Sequence, residues 1–292
     1  MKYQMEYYSF NQYLKDTFGC KVYKISINAG FTCPNRDGTL GTRGCIFCSR
    51  GGSGDFAESS SLSVTEQIES GKQRISKKIK SGKYIAYFQA FTNTYAPVEV
   101  LAEKYCEAIN HPDIVGISIA TRPDCLGEEV LTLLSEINKI KPVFVELGLQ
   151  TIHEKTAEYI RRGYPLSVFD NAVKTLKAAG INTVVHLIIG LPNESREDML
   201  KSVEYACKSG ADGIKLQLLH ILKGTDLADD YFSGKFETLS MEEYLSIIKD
   251  CVEIIPKNVV IHRLTGDGPK KDLIAPLWSA DKKSVLNALN KL

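Results

Sequence analysis

Cys33, Cys45 and Cys48 place three thiols on one glycine-rich stretch, Cys33-Pro-Asn-Arg-Asp-Gly-Thr-Leu-Gly-Thr-Arg-Gly-Cys45-Ile-Phe-Cys48. The Cys45-x-x-Cys48 pair by itself suits a redox dithiol or a zinc knuckle as well as a cluster. Cys33 narrows the reading. A structural zinc ion needs four ligands, yet the nearest histidine, His111, lies more than sixty residues downstream, and Cys20 precedes the strand-like run that leads into the loop. A [4Fe–4S] cluster normally takes four thiolates. Three leave one iron with open positions, where a substrate or cofactor can coordinate, so the chemistry is that of a reactive site rather than a structural one. The glycine-rich loop also offers backbone N–H donors to cluster sulfurs, which tune the potential.

Such a loop has to be held by regular elements, and the flanking sequence supplies them. Apolar, β-rich runs occur at Val22–Ile27, Tyr84–Gln89, Ile114–Ile119, Val143–Leu149, Thr183–Ile189, Ile214–Leu219 and Val259–His262. Amphipathic stretches lie between them: Val64–Lys80, Val98–Asn110, Glu128–Lys139, Ser167–Ala179, Arg196–Ser209 and Met241–Ile254. Leu131, Leu134 and Ile137 show the helical spacing, and Gly180 and Gly210 follow two of these stretches as stop signals. Repeated strand–helix alternation predicts parallel strands joined by right-handed crossovers. Near-continuous apolar strands predict that both faces are covered.

An open doubly wound sheet and a full or partial barrel both fit this alternation. No G-x-G-x-x-G follows the first strand, which counts against a dinucleotide-binding sheet. Polar and glycine residues gather where the strands end, as in a barrel: the cysteine loop, Gln89-Ala-Phe-Thr-Asn, Thr121-Arg-Pro-Asp, Gln150-Thr, Gly190-Leu-Pro-Asn and His220. The expected fold is therefore α/β, a partial (β/α)6 TIM-like barrel. It is read as one domain over 1–292, with a core at about 20–225 and a C-terminal extension at about 226–292 that adds a strand and a helix.

Composition narrows the setting. The chain has 292 residues, with 43% hydrophobic and 24% charged, as in ordinary globular proteins. No apolar run approaches a membrane span, and the start, Met1-Lys-Tyr-Gln-Met, lacks a secretory signal. A cytoplasmic protein with no membrane partner is expected. Cys20, Cys106, Cys125, Cys207 and Cys251 follow no repeated spacing and read as small buried hydrophobes, so no second cluster is expected. The net charge of +1 gives no global field for nucleic acid. The local runs Lys72, Arg74, Lys77, Lys78, Lys80, Lys83 and Lys270, Lys271, Lys282, Lys283 read from charge alone as solvated faces.

The arrangement resembles the radical S-adenosylmethionine (SAM) superfamily, whose cluster loop follows the first strand of a partial barrel. The usual loop is C-x3-C-x2-C; here it is C-x11-C-x2-C. That wide first gap resembles the branch of elongator's catalytic subunit, and most closely its small bacterial YhcC/YtqA-type members. The resemblance runs from about Tyr7 to the C-terminus. It rests on Asn28-Ala-Gly-Phe-Thr-Cys33-Pro-Asn-Arg-Asp-Gly38, Phe88-Gln-Ala-Phe-Thr-Asn-Thr-Tyr-Ala-Pro97, Thr121-Arg-Pro-Asp124, Glu146-Leu-Gly-Leu-Gln-Thr151 and His262-Arg-Leu-Thr-Gly-Asp-Gly-Pro269. Two departures stand out. Gln89-Ala-Phe-Thr92 replaces the usual Gly-Gly-Glu after the second strand, and the chain stops at Leu292, where elongator's acetyltransferase domain would continue. Acetyl-CoA chemistry is not expected.

The resemblance implies a [4Fe–4S] cluster on Cys33, Cys45 and Cys48, with SAM bound through its amine and carboxylate to the open iron. It also implies a reducing donor such as flavodoxin or ferredoxin, whose electron cleaves SAM to methionine and a 5′-deoxyadenosyl radical. Cofactor chemistry of this kind leaves placement and water exclusion to the protein. By the same resemblance, Gln89 meets the SAM amino group, Gln150 and His186 face the ribose, Arg162 pairs with the carboxylate, and Gly190 lets the adenine approach. The bland alternatives are a helix cap for Gln150, a surface ion pair for Arg162 and a core histidine for His186. Thr121, Arg122, Asp124, Lys215, Gln217, Lys223, Arg263 and Asp267 remain as substrate-contact candidates, and Phe91 and Tyr95 as stacking platforms for a flipped base or walls of the cofactor pocket. The implied substrate is tRNA, with remodelling of the wobble-uridine C5 arm from carboxymethylaminomethyl to aminomethyl; the lysine clusters would then touch phosphates. Two alternatives stay open: a radical SAM enzyme for a small metabolite or another RNA position, and a non-catalytic zinc-stabilised RNA-binding protein. The oligomeric state is not legible.

Overall fold

A computed structural model describes residues 6–76, 82–266 and 268–290. Helix α1 (Phe10–Phe18) precedes strand β1 (Val22–Ile27), and α2 (Val64–Ser76) leads to β2 (Lys83–Phe88). The pattern continues through α3 (Val98–Asn110), β3 (Ile114–Thr121), α4 (Glu128–Asn138) and β4 (Val143–Gln150). Two helices, α5 (Glu154–Tyr159) and α6 (Leu166–Ala178), separate β4 from β5 (Asn182–Ile189); α7 (Arg196–Lys208) then leads to β6 (Gly213–Leu218). The C-terminal part holds β7 (Ile221–Leu222), α8 (Asp226–Phe232), α9 (Met241–Ile254), β8 (Val260–Arg263), β9 (Leu273–Ala275) and α10 (Lys282–Leu289).

Seven parallel strands follow one another in the order β1-β2-β3-β4-β5-β6-β8, and β7 pairs separately and antiparallel with β9. The seven predicted strands are all present and the barrel expectation holds. The extension carries more than the expected strand and helix: β8 continues the main sheet, α8 and β9 lie against β7, α9 packs on α7 and α10 on α9. Side chains prove that the sheet is curled. The Lys215 ammonium on β6 lies 3.3 Å from the Tyr87 hydroxyl on β2. In a flat sheet those strands would stand about 19 Å apart, at about 4.8 Å per strand, and parallel side chains would never meet. The sheet is a half-barrel with an interior.

Alternation along each strand assigns the two faces. Ile25, Ile27, Ile117, Ile119, Val145, Leu147, Leu149, Val185, Leu187, Ile214 and Leu216 belong to the large core under the helices. Helix α3 meets it with Leu101, Tyr105, Ala108 and Ile109, one stripe at helical spacing. Each such aliphatic side chain contributes about 1.5–3 kcal/mol on burial. Helices α7 and α9 start at capping boxes, Ser195 with Asp198 and Ser240 with Glu243.

The inner face departs from the continuous apolar reading. Its lower layer is apolar: Val22, Ile85, Phe144 and Val260 close around Phe10 and Leu14 of α1, which plugs the barrel floor. Phe10 also stacks on His262, with ring centroids 3.9 Å apart. The middle layer is polar, with Lys24, Tyr87, Ser118, Glu146, His186 and Lys215 in mutual contact. Charged groups are tolerated inside because they are paired with one another.

Candidate active site

The loop after β1 carries the three thiols to the C-terminal mouth of the half-barrel, where Cys33, Cys45 and Cys48 line one cleft. Backbone turns shape it: the Cys33 carbonyl accepts from the amides of Arg36 and Asp37, and Gly44, at φ +75°, donates to the Asn35 carbonyl. Asn35 is 5% exposed and works as a brace, its amide donating to Cys45 Sγ at 3.4 Å and to the Arg161 carbonyl at 2.7 Å. The Arg36 guanidinium donates to the carbonyls of Cys48 and Ser49 and lies 5.6 Å from the Phe91 ring centroid. The loop is further tied to the Ile160 carbonyl through the Ile46 amide, and to α8 through Leu227. Phe91 seals the near wall against Gly52, where a Cβ would come within 2.3 Å of the ring.

Burial, with Cys48 alongside, pushes the Cys45 thiol up to about 12; burial also raises Cys48, although Arg36 offsets part of it. Desolvated neighbouring thiols of this kind ionise together only on a cation, which is the condition a metal centre meets. Thiolates are the donors that an iron–sulfur cluster takes. Among the described residues, only Glu69, His111 and Asp113 bring three such ligand atoms within 4.8 Å of one another. At least one pair of the three sulfurs is therefore set wider than that. The donor set fits a cluster held by three thiolates. The Glu69 group holds Lys72, whose ammonium bonds both Glu69 and Asp113.

Around the thiols stand several of the residues singled out in the sequence. Gln89 lines the cleft and accepts from the Ser26 hydroxyl at 2.9 Å. Gln150 ends β4 at φ +68°, and its buried Oε1 has no hydrogen-bond partner, an orphan acceptor in a cleft wall. An unmatched buried carbonyl of this type fits a polar ligand in the cleft. Arg162 lines the cleft but is only 2% exposed, so it is no surface ion pair. Its guanidinium donates to the carbonyls of Tyr164 and Thr151 and to Glu154, leaving few N–H groups for any ligand. Gly190 stands apart from these. It lies outside the cleft lining, and a Cβ there would meet Leu239 at 3.1 Å; its φ of +91° serves the turn after β5.

His186 donates from Nε2 to Glu146 at 2.7 Å while its Nδ1 takes the Gln217 amide at 3.2 Å. Burial, with the Lys215 charge, holds it down at about 4, so the ring is neutral at pH 7. Glu146 is the hub. Burial alone would raise it, but Lys215, Lys24 and His186 hold the carboxyl well below its ordinary range. Lys215 is 5% exposed and burial lowers its pKa to about 7, with Glu146 offsetting part of that. Arg122 forms a two-pronged pair with Asp124 at 2.9 and 2.7 Å and lies 5.2 Å from the Tyr164 ring centroid. Burial opposes its charge, but Asp124 and then the Cys33 and Cys45 thiols favour it.

Arg122, Lys215, Gln217 and Arg263 share the cleft lining, as do Thr121 and Phe91. Tyr95 and Asp124 do not; they face a neighbouring hollow, where the Tyr95 hydroxyl shares a hydrogen bond with Thr39. Lys223 points to the Lys271 carbonyl, and Asp267 lies outside the described residues, as do Lys77, Lys78 and Lys80. Of the five remaining cysteines only Cys251 is fully buried and Cys106 is exposed, because Cys106 lies on the outer side of α3. Sequence reading missed Asn35, Arg36, Lys24, Tyr87 and Glu146 as site residues. A signal existed for two of them: Lys24 and Glu146 are lone charges inside apolar strands, at the alternating positions that face inward.

Comparison with known proteins follows this geometry. The radical SAM superfamily model matches residues 35–206, and the Radical_SAM C-terminal domain matches 211–292. The chain is 47% identical to the uncharacterized protein YtqA of Bacillus subtilis over 288 residues, 99% of this chain and 89% of that protein. It is 30% identical to the tRNA uridine(34) acetyltransferase of Methanocaldococcus jannaschii over 171 residues, 58% of this chain and 31% of that protein. The solved structure of archaeal Methanocaldococcus infernus Elp3 shares the fold at a TM-score of 0.67 and 18% identity, over 90% of this chain and 63% of that one. No described helix is long and apolar enough to cross a membrane.

Proposed function

This chain belongs to the radical SAM superfamily, enzymes that use a [4Fe–4S] cluster and SAM, and we propose that it remodels the C5 arm of the tRNA wobble uridine from carboxymethylaminomethyl to aminomethyl. Cys33, Cys45 and Cys48 hold the cluster. When bound, the cluster and SAM supply abstraction of a hydrogen atom from the substrate. The chain's own residues position and enclose. Asn35 and Arg36 fix the loop, and Arg122 puts a cation beside two of the thiols. Gln89 and Gln150 offer polar side chains to SAM from β2 and β4, with the Gln150 Oε1 free to accept from a ligand donor. Phe91 and Tyr164 wall the cleft against water, and Arg162 braces the β4–α6 connection rather than reaching far into it. Lys72 is spent on Glu69 and Asp113, which leaves the cleft's own basic residues as the better anion contacts.

The observation that carries the tRNA reading is the relation to the tRNA uridine(34) acetyltransferase across 171 residues, 58% of this chain. That protein's name concerns the same nucleotide, and the shared segment includes neither its full length nor most of its sequence. The test is nucleoside analysis by mass spectrometry of tRNA from a deletion strain. Carboxymethylaminomethyl-uridine should accumulate and the aminomethyl form should disappear, with both restored by the wild-type gene and not by a Cys45→Ala copy. An unchanged wobble-uridine profile would sink the proposal.

A further inference from the structure

The cysteine loop carries a cation that no carboxylate answers. Arg122 is paired with Asp124, Arg43 and Arg161 share Asp226, and Arg162 holds Glu154. Arg36 differs. Its guanidinium donates to the carbonyls of Cys48 at 3.2 Å and Ser49 at 2.7 Å, and no carboxylate among the described residues pairs with it. The loop is built to keep the group there. A Cβ on Gly44 would lie 2.9 Å from the Arg36 Nε and 3.0 Å from its Cζ, so the guanidinium rests against a backbone that has to be glycine. The Phe91 ring, with its centroid 5.6 Å away, adds a cation–π contact. Half-buried and lining the cleft with Cys33, Cys45 and Cys48, the group has lost part of its water without gaining an ion pair.

Negative charge at the thiols offsets that loss. A [4Fe–4S] cluster on three thiolates is a monoanion when oxidised and a dianion after one-electron reduction. Attraction to a fixed cation grows with that charge, so the cation favours the reduced form and raises the potential. Arg122 contributes less, because both oxygens of Asp124 take up its charge. Asp55 works against Arg36. It lines the same cleft, where it accepts from the Ser49 hydroxyl at 2.9 Å. Burial disfavours charge on Cys48 most strongly, Arg36 favours it, and Asp55 disfavours it by less than Arg36 gains.

We propose that Arg36 sets the reduction potential of the cluster, as the fixed counter-charge for the electron that the cluster takes up. In that step the cluster gains one electron from a reducing protein of the flavodoxin or ferredoxin class, which is oxidised by one electron. Arg36 keeps its protons, and no covalent bond forms or breaks. The residue acts through the cluster and meets no reacting carbon, so its part is to position charge. The assignment stands apart from the wobble-uridine reading, because a radical SAM enzyme needs the reduced cluster whatever its substrate.

A redox titration followed by electron paramagnetic resonance, on anaerobically purified cluster-loaded protein without SAM, tests the assignment; iron and sulfide analysis confirms loading of each variant. Arg36→Gln should lower the midpoint potential by at least about 59 mV, a tenfold change in the one-electron equilibrium. Arg36→Lys should retain most of the wild-type value, and Asp55→Asn should move it upward. A fully loaded Arg36→Gln protein with an unchanged potential would overturn the proposal. So would Arg36→Lys falling as far as Arg36→Gln, since the hydrogen bonds to the two carbonyls and not the charge would then be responsible. An Asp55→Asn potential that fails to rise would do the same. Where Arg36→Gln does not load, Arg36→His decides within one preparation. Its potential should fall as pH rises from about 5.5 to about 8, more steeply than that of wild type, and a parallel course overturns the assignment. None of these outcomes bears on the tRNA reading, which the nucleoside analysis decides separately.

Discussion

Replacing Glu146 by glutamine changes no more than one oxygen, yet the half-barrel predicts a large and pH-dependent cost. Both carboxylate oxygens accept from one ammonium and one other donor: Lys24 with Ser118, and Lys215 with His186. A glutamine presents an amino group to one of those pairs. Ser118 can turn its hydroxyl and His186 can change tautomer, but an ammonium cannot accept a hydrogen bond. One lysine must shed its proton, and Lys215, already lowered to about 7 by burial, is the one that does. Removing one partner of a buried ion pair costs about 3–5 kcal/mol, and the proton adds a pH signature. A lysine whose folded pKa is depressed binds fewer protons in the folded state than in the unfolded state. Its stability penalty is therefore full below the folded pKa and fades as pH rises toward the unfolded value. Without Glu146 the folded pKa drops further, so the variant's deficit grows as pH falls through 7. For a folded pKa of about 7 the growth is on the order of 1 kcal/mol between pH of about 7.5 and about 6. Glu146 stays ionised across this window and adds nothing of its own. Urea unfolding of Glu146→Gln and wild type, followed by far-ultraviolet circular dichroism at both pH values, reads the deficit. The double variant Glu146→Gln with Lys215→Met should recover most of it and lose the pH dependence. A deficit below about 1 kcal/mol, or one that does not change with pH, would refute this account of the inner layer.

Three further outcomes follow from the same structure. His186 is lowered to about 4 and His262 well below its ordinary value, both first by burial, so the folded state keeps both rings neutral where the unfolded chain would protonate them. Stability should therefore fall as pH drops from about 6.5 toward 4, with an uptake of nearly two protons on unfolding; His186→Asn should remove about one of them, and a flat profile would contradict the assignment. Cys33→Ala, Cys45→Ala and Cys48→Ala should each strip iron and sulfide from anaerobically purified protein, while Cys106→Ala, on the exposed side of α3, should keep both. Gly52→Ala should cost about 1–3 kcal/mol, because the new Cβ would lie 2.3 Å from Phe91 at a residue whose φ is +57°; differential scanning fluorimetry measures it, and an unchanged midpoint would argue that Phe91 does not seal this wall.

The strands were legible in the sequence because their outer faces are unbroken rows of β-branched and aliphatic residues under helices. Helices α3 and α9 begin and end where the pattern places them, with Pro97 and the Ser240 capping box setting the starts. Helix α1 was not legible. Only Phe10 and Leu14 are buried in it, and its purpose, plugging the floor against Phe144 and His262, exists only after the sheet has curled. Short elements of the extension escaped for the same reason: a two-residue strand such as β7 has no periodicity to read and is defined by its partner β9.

The site divides along a similar line. Three cysteines at fixed spacing announce a metal from the sequence alone, because thiol chemistry does not depend on which strand comes next. The roles of Gly190 and Arg162 depend on which way a turn faces, which spacing alone does not show: Gly190 lies close to Leu239, and Arg162 is held by Tyr164, Thr151 and Glu154. Glu146 shows why the inner layer stayed hidden. On the strand Val-Phe-Val-Glu-Leu-Gly-Leu-Gln a single carboxylate among apolar neighbours reads as an exception, whereas its two lysines lie 122 and 69 residues away in sequence. A charge of this kind is stable inside only if its partners arrive from other strands, so a lone charge at an inward position of a barrel strand is itself a prediction that counter-charges stand at the same height on neighbouring strands. Applied to Lys24, Glu146 and Lys215, that rule finds the middle layer without coordinates.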